Sequence, residues 1–305
     1  MTAGPRRKRQ AVDGVLLLDK PQGISSQTAV SRVKGLYNAA KAGHTGTLDP
    51  MATGLLPIAF GEATKFSSAL LDAGKGYLAT VRLGTTTTTG DMEGEVTASC
   101  AVDVDRSRID AALAQFRGDI VQIPPMYSAL KHEGKPLYAY ARKGEEIARE
   151  PRALTIFALE VEDYEAPDLR IFVQCSKGTY IRVLAEDIGK ALGCGGCLAA
   201  LRRTEVGRFR VEDAISFEVL AGMTDAGRAQ ALLPVDSMVT ELPAVQLDTA
   251  ETARVTQGQA VDREAVAGGL VRLYGPGGVF LGLADVPAGG SLQPRRLVAP
   301  RPING

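Results

Sequence analysis

Tryptophan is absent from the 305 residues, histidine occurs only twice, as His44 and His132, and cysteine four times. Two histidines argue against a histidine-rich metal centre. Four cysteines (Cys100, Cys175, Cys194, Cys197) are too few for a disulfide scaffold at this length and suit a reducing compartment. No apolar run approaches the roughly 18 residues that a membrane-spanning helix needs. The amino terminus, MTAGPRRKRQAVDG, is basic but lacks the apolar stretch of a signal peptide. There is also no net charge: 35 Lys and Arg balance 35 Asp and Glu. The expectation is a soluble, cytoplasmic protein with no membrane contact.

What is present is enough for a large core. With 45% hydrophobic and 23% charged residues, the length suits one large domain and one small one. The charge is unevenly spread. Residues 1–90 carry 11 Lys/Arg against 5 Asp/Glu and residues 171–210 carry 7 against 3, whereas residues 91–170 carry 10 against 16 and residues 211–305 carry 7 against 11. If the two basic blocks converge they form a cationic groove for a polyanion, with salt-sensitive affinity; the alternative is ordinary variation in surface charge.

Periodicity gives the elements. Gly14 to Asp19 reads as a buried strand that ends at Lys20-Pro21. Ser25-Ser26 caps a helix whose apolar positions are Val30, Val33 and Leu36. A helix is expected over residues 64–71, and a strand follows with Tyr77, Ala79, Val81 and Leu83 on one face. Ile109, Ala112, Leu113 and Phe116 form a helical stripe. Two strands fall within residues 154–164 and 169–175, and after Lys177-Gly178 a helix buries Ile181, Leu184, Ile188 and Leu192. Strands and helices do not alternate strictly, so the fold class is α+β with a mixed, mostly antiparallel sheet. Residues 85–89 are a β-prone edge running into a turn. Beyond Pro234–Pro243 short strands near 271–274 and 279–283, joined by Gly-Pro-Gly-Gly, mark a small β domain. The domains are placed at 1–240 and 241–305, with residues 1–12 a disordered basic arm.

One segment is built for chemistry. Residues 43–57, GHTGTLDPMATGLLP, hold glycines, small hydroxyls, His44 and Asp49. Glycines let backbone approach a ligand, and a carboxylate on such a loop can act as base or nucleophile. Asp-Pro alone reads equally as a turn. The segment is not a P-loop, and no Gly-x-Ser-x-Gly nucleophile elbow accompanies it.

Six blocks in fixed order, LLLDKPQGISS (16–26), GHTGTLDPMATGLLP (43–57), KGY (75–77), TTTGDMEG (87–94), KGTYIRVLAEDIG (177–189) and LRRTEVGRF (201–209), closely resemble the TruB family of tRNA pseudouridine-55 synthases. With the tail VRLYGPGGVFLGLADV, similar to the short PUA domain of bacterial members, the resemblance spans nearly the full chain. It implies the pseudouridine-synthase fold and isomerisation of uridine 55 in the tRNA T-loop. It also implies base flipping, no cofactor or metal, no guide RNA or protein partner, and a monomer by default. Asp49 matches the essential aspartate, which attacks the ribose or removes its C2′ proton. Arg182 matches its arginine partner; lying off the Ile181/Leu184/Ile188 stripe, it need not face the core. Tyr77 matches the active-site tyrosine, Tyr180 and Leu201 match uracil-pocket residues, and His44 matches a histidine that contacts the RNA. For Leu201 simple core packing is the alternative.

Lys20-Pro21 resembles a family element that serves mostly as scaffold, with Lys20 also counted among substrate-binding residues. Lys20, Lys41, Lys65, Lys75, Arg202 and Arg203 stand in or beside motifs and are each either RNA contacts or solvated charges. Asp91 reads as a turn former. Residues 124–149 look like an insertion, either an RNA-contacting loop or a solvated face. Cys194-Gly-Gly-Cys197 departs from the usual pattern, but zinc would need two more ligands. A non-catalytic tRNA-binding or tRNA-folding protein on the same fold is the competing function.

Overall fold

The structure is a computed structural model that describes residues 9–263, 268–287 and 290–299. Among these, the main sheet has ten strands: β1 (Gly14–Lys20), β2 (Ala42–His44), β3 (Thr53–Phe60), β4 (Lys75–Leu83), β5 (Gly118–Gln122), β6 (Arg152–Glu165), β7 (Asp168–Cys175), β8 (Gly196–Val206), β9 (Phe209–Arg210) and β10 (Ile215–Ser216). The order is β10-β1-β3-β8-β4-β7-β6-β5, with β2 on β3 and β9 on β8. Only β1–β10 and β3–β8 pair in parallel. The sheet is therefore mixed and mostly antiparallel, as the uneven alternation of elements led one to expect.

Helices α1 (Ser26–Leu36), α2 (Arg106–Ala114) and α3 (Ile181–Leu192) bury Val30, Val33, Ile109, Leu184 and Ile188 against one face, within a core that also holds Tyr77, Ala79, Val81 and Val173. Ser25 caps α1 by accepting the Thr28 N–H at 3.1 Å. α3 ends on Gly193 in the left-handed region. It lies unusually close to β8: a Cβ on Gly189 would stand 2.2 Å from the Gly196 amide nitrogen. Only glycine permits that approach, and it seats the last turn of α3 against the start of β8. The helix expected over 64–71 is a 3₁₀ turn, Gly61–Phe66, followed by a short helix, Ser67–Asp72. Residues 85–87 pair with Val96–Ser99 before the expected turn.

A second sheet covers residues 244–297, with strands Ala244–Gln246, Gly269–Tyr274, Phe280–Val286, Ser291–Leu297 and Val261–Asp262 in that order. It does not stand apart. Leu270, Phe280 and Leu283 pack into one cluster with Val15, Leu17, Leu55 and Phe66 of the main sheet's other face. The Phe66 and Phe280 rings meet edge to face at 5.3 Å, and Lys65 donates to the Leu297 carbonyl.

The disordered arm expected at 1–12 needs correction at its end. Residues 1–8 lie outside the described residues, but Gln10 bridges to Ala39 through the Gln10 N–H to Asn38 O bond at 2.9 Å and the Ala40 N–H to Gln10 O bond at 2.9 Å. Backbone pairing of this kind fixes a chain irrespective of its charge. Among the described residues no helix is long and apolar enough to cross a membrane.

Candidate active site

The loop between β2 and β3 presents Asp49, and three other segments hold that loop rigid. Ser26, the first residue of α1, donates its hydroxyl to Leu48 O at 2.9 Å and accepts the Leu48 N–H at 2.7 Å. Gly23 N–H donates to Pro50 O at 2.8 Å. Arg203 on β8 donates to Gly46 O at 3.2 Å, Thr47 O at 3.3 Å and Leu55 O at 2.8 Å. A glycine at 54 is obligatory beside that clamp: its φ is +99°, and a Cβ would meet the Arg203 carbonyl oxygen at 2.3 Å. The result is a backbone anchored on both sides of Asp49, whose own carboxylate stays 41% exposed.

Arg182 reaches that carboxylate from the first turn of α3. Its Nη2 is 3.1 Å from Asp49 Oδ2, and its Nε is 3.5 Å from Asp91 Oδ2. The guanidinium also donates to Tyr127 O at 2.6 Å and Thr89 O at 3.2 Å. Its side chain is 7% exposed, so although Arg182 need not face the apolar core it is not left in water. Lying off the apolar stripe turns it not to water but into a polar pocket between loops. Asp91, read as a turn former, does form the turn: it accepts from the Thr89 hydroxyl at 2.6 Å and the Glu93 N–H at 3.1 Å. It is also a buried carboxylate that holds Arg182, a role the sequence reading missed. A Gly-Asp-x-x-Gly turn inside a threonine-rich motif carries no sign of which way its carboxylate faces.

Two cavities meet at Asp49 and Arg182, both of which line each one. The first, about 410 Å³, is lined by Tyr77, Tyr180, Leu201, Lys75 and Arg203. The second, about 460 Å³, is lined by His44, Asp91, Glu93, Tyr127, Tyr138 and Arg142. Six of the seven expected site residues (Asp49, Tyr77, Arg182, His44, Tyr180 and Leu201) are thus brought together. The first cavity is faced with two aromatic rings and an aliphatic side chain, dimensions and chemistry suited to a flat heterocycle. Residues 124–149 contribute Tyr127, Ser128, Tyr138 and Arg142 to the walls, through a hairpin at 131–136 and the short helix Leu137–Ala141.

Lys20 is the exception. It is fully buried, donates to Pro21 O and Ile24 O at 2.9 Å each, and lines neither cavity. Its place among substrate contacts is corrected to that of a brace for the turn before α1. The other basic motif residues also do different work from that expected. Lys75 is buried and donates to Leu71 O and Ala73 O. Arg203 is buried beneath the loop, Arg202 pairs with Asp19 at 2.7 Å, and Lys65 pairs with Glu62 at 2.7 Å. Lys41 alone of the six is exposed.

Burial sets the electrostatics. It pushes Lys20 and Lys75 down to about 8 by penalising the charged form. Burial, aided by the Arg203 cation, lowers His44, which is therefore neutral at pH 7 and accepts the Gly46 N–H at Nδ1. Burial raises the Tyr77 phenol, while Arg203 beside it pulls the other way. Tyr180 is likewise raised by burial. Glu93 is raised by burial and by the neighbouring Asp91 and Asp49 charges. No group of His, Cys, Asp and Glu residues able to hold a metal occurs among the described residues. Cys194 and Cys197 are buried free thiols, with Cys197 Sγ 3.6 Å from Met92 Sδ. The arrangement offers an exposed carboxylate ion-paired to a buried arginine, flanked by an aromatic slot and a second cavity lined by His44, Asp91 and Glu93.

The chain is similar to known proteins along nearly its whole length. Residues 34–181 match the model for the TruB family pseudouridylate synthase N-terminal domain. Residues 182–240 match the tRNA pseudouridylate synthase B C-terminal domain, and residues 243–298 the pseudouridine synthase II TruB C-terminal model. A protein of Methylobacillus flagellatus named tRNA pseudouridine synthase B is 53% identical over 294 residues, 96% of this chain and 97% of the relative. One of Thiobacillus denitrificans with the same name is 56% identical over 292 residues, 95% of this chain and 97% of the relative. Among solved structures, a chain in the crystal structure of a Cbf5-Nop10-Gar1 complex superposes with a TM-score of 0.74 at 29% identity, covering 98% of this chain and 88% of its own length.

Proposed function

The chain belongs to the TruB family of pseudouridylate synthases, and on that footing we propose that it converts uridine 55 in the T-loop of tRNA to pseudouridine. The observation that carries this reading is the Asp49–Arg182 pair at the junction of the two cavities. The pair supports a division of the target nucleotide, with the uracil in the aromatic slot of Tyr77, Tyr180 and Leu201, and the sugar and its neighbours towards His44. A uridine inside a structured loop reaches such a recess only by flipping out, at a cost of about a few kcal/mol offset by stacking and backbone contacts.

The chemistry is a balanced isomerisation. The N1–C1′ bond breaks with its electron pair left on N1, the base turns, and a C5–C1′ bond forms. C5 loses its proton and N1 ends with one. Asp49 acts at the sugar, either by attack on C1′ or by removal of the C2′ proton. Arg182 orients the carboxylate through their ion pair at 3.1 Å. Nothing is oxidised and no group is lost, so no cofactor enters the scheme. We read the chain as acting alone, as a cytoplasmic monomer, with residues 241–305 as a PUA-like RNA-binding unit. The reading rests on the relatives named tRNA pseudouridine synthase B, at 53–56% identity, rather than on the 29% identical Cbf5 chain, which was solved in a complex with Nop10 and Gar1.

The test is tritium release from unmodified tRNA labelled with 5-³H-uridine, by wild type and Asp49→Asn, in the absence of other components. Release by wild type alone, mapped to position 55, is expected. Tight tRNA binding without release would instead make the protein a non-catalytic tRNA binder. Modification only at other positions would overturn the assignment to position 55.

A further inference from the structure

Arg203 is a guanidinium at 1% exposure whose ion-pair partners, among the described residues, include no carboxylate. Its donors meet the carbonyls of Gly46, Thr47 and Leu55, and its charge also acts on the Tyr77 phenol, on His44 and on Lys20 and Lys75. A buried charge without an opposite charge is among the costliest groups to keep inside a protein. Three neutral carbonyls ask only for neutral N–H donors, so they do not account for a full positive charge at this place.

What faces Arg203 does. Arg203 and Tyr77 are register partners on adjacent antiparallel strands, β8 and β4, which puts their side chains on one face of the sheet as direct neighbours. Both line the 410 Å³ cavity together with Lys75 and Arg182, and among the described residues Asp49 is the only acidic one in its wall. Three cations thus look onto a recess with a single carboxylate, in surroundings where burial strengthens every charge interaction.

We propose that Arg203 is a positioning residue for the isomerisation, acting through Tyr77: it fixes the phenol oxygen over the cavity and stabilises the negative charge that oxygen carries while relaying a proton. The inference rests on the reading above, that this cavity takes the uracil. In the relay the phenol passes its own proton towards N1 and takes the one from C5, so base and phenol both finish neutral. Between those two transfers the oxygen is anionic, and the guanidinium is already in place to meet it, with no reorganisation at the moment of reaction.

The test is a double-mutant cycle in single turnover, reading tritium release from 5-³H-uridine tRNA and tRNA affinity by filter binding. Wild type, Arg203→Lys, Tyr77→Phe and the double variant are compared, with thermal melts to establish folding. Arg203→Lys should slow release at least 10-fold with affinity within 3-fold of wild type, and should slow it no further once Tyr77 is Phe. Equal slowing in both backgrounds, or a loss confined to affinity, would show a merely structural role and overturn the proposal. If a variant fails to fold, or Tyr77→Phe releases no tritium, fluorinated tyrosines placed at position 77 with Arg203 intact decide instead. The release rate should then track phenol acidity, and a flat series overturns the proposal. A wild type that binds tRNA but releases no tritium sinks the functional reading and this inference with it, whereas the other failures sink the inference alone.

Discussion

Replacing Asp91 by Asn tests the claim that Arg182 is held for Asp49 by a second, buried carboxylate. The Asp91 side chain is 4% exposed. An asparagine oxygen can keep the bonds from the Thr89 hydroxyl and the Glu93 N–H, so the 89–93 turn survives. Its amide then points N–H at the Arg182 Nε, donor against donor, where Asp91 Oδ2 stood 3.5 Å away. Breaking a buried pair costs about 3–5 kcal/mol when the remaining charge is stranded. Arg182 keeps Asp49 at 3.1 Å, so the loss should be smaller, about 2–3 kcal/mol by discounting that range. At roughly 2–4 °C per kcal/mol for a chain of this size, the melting midpoint should fall by about 4–12 °C. A guanidinium no longer fixed at Nε points less well at Asp49, and a 10- to 100-fold drop in single-turnover rate corresponds to about 1.4–2.7 kcal/mol of lost transition-state stabilisation. Calorimetry and tritium release read the two effects separately. A variant within 1 °C and twofold of wild type on both would refute the account of Arg182.

Other consequences are equally direct. Lys20 has its pKa pushed down to about 8 by burial, so between that pH and its ordinary value near 10.5 the unfolded chain binds the proton that the folded one has lost, and its contribution to stability rises with pH. The urea midpoint of wild type minus that of Lys20→Met should therefore climb from pH 8 to pH 10, and a level or falling difference counts against a buried ammonium. Gly54→Ala forces a Cβ to within 2.3 Å of the Arg203 carbonyl oxygen at a φ of +99°; a loss of about 3–5 kcal/mol or failure to fold is expected, read by urea denaturation. Cys175 is buried and its thiol is pushed up to about 11, whereas Cys100 is exposed. Iodoacetamide at pH 8 should label Cys100 first in mass spectra of the native protein, because the thiolate is the reactive form.

Elements with clean periodicity were readable in advance. The alternation of Tyr77, Ala79, Val81 and Leu83 places β4 correctly, and the Ile181, Leu184, Ile188, Leu192 stripe places α3. The Asp49 loop declared itself through its glycines and its family motif. Arg203 did not, for a physical reason: β8 is irregular between Leu198 and Ala200 and again between Arg203 and Glu205. Each shift resets which side chains face inward, so Arg202 and Arg203 looked alike when one pairs on the surface with Asp19 and the other lies beneath the active-site loop. Lys20 was misassigned for a related reason, since a lysine ending an apolar strand carries no mark of where its ammonium will find carbonyls.

The joint between the two sheets bears on how the chain comes off the ribosome. Val15, Leu17 and Leu55 lie in the first fifth of the sequence, yet Leu270, Phe280 and Leu283 belong to the same hydrophobic cluster. Until those last residues emerge, Phe66 lacks its edge-to-face partner Phe280, and the cluster, which also holds Val206, Phe209, Met238 and Val239, is incomplete on that side. A nascent chain in that state exposes apolar surface of the kind that invites aggregation and chaperone capture. A message cut short near codon 260 would yield a chain with Asp49, Tyr77 and Arg182 present but without the last members of that cluster, whose apolar surface would stay open.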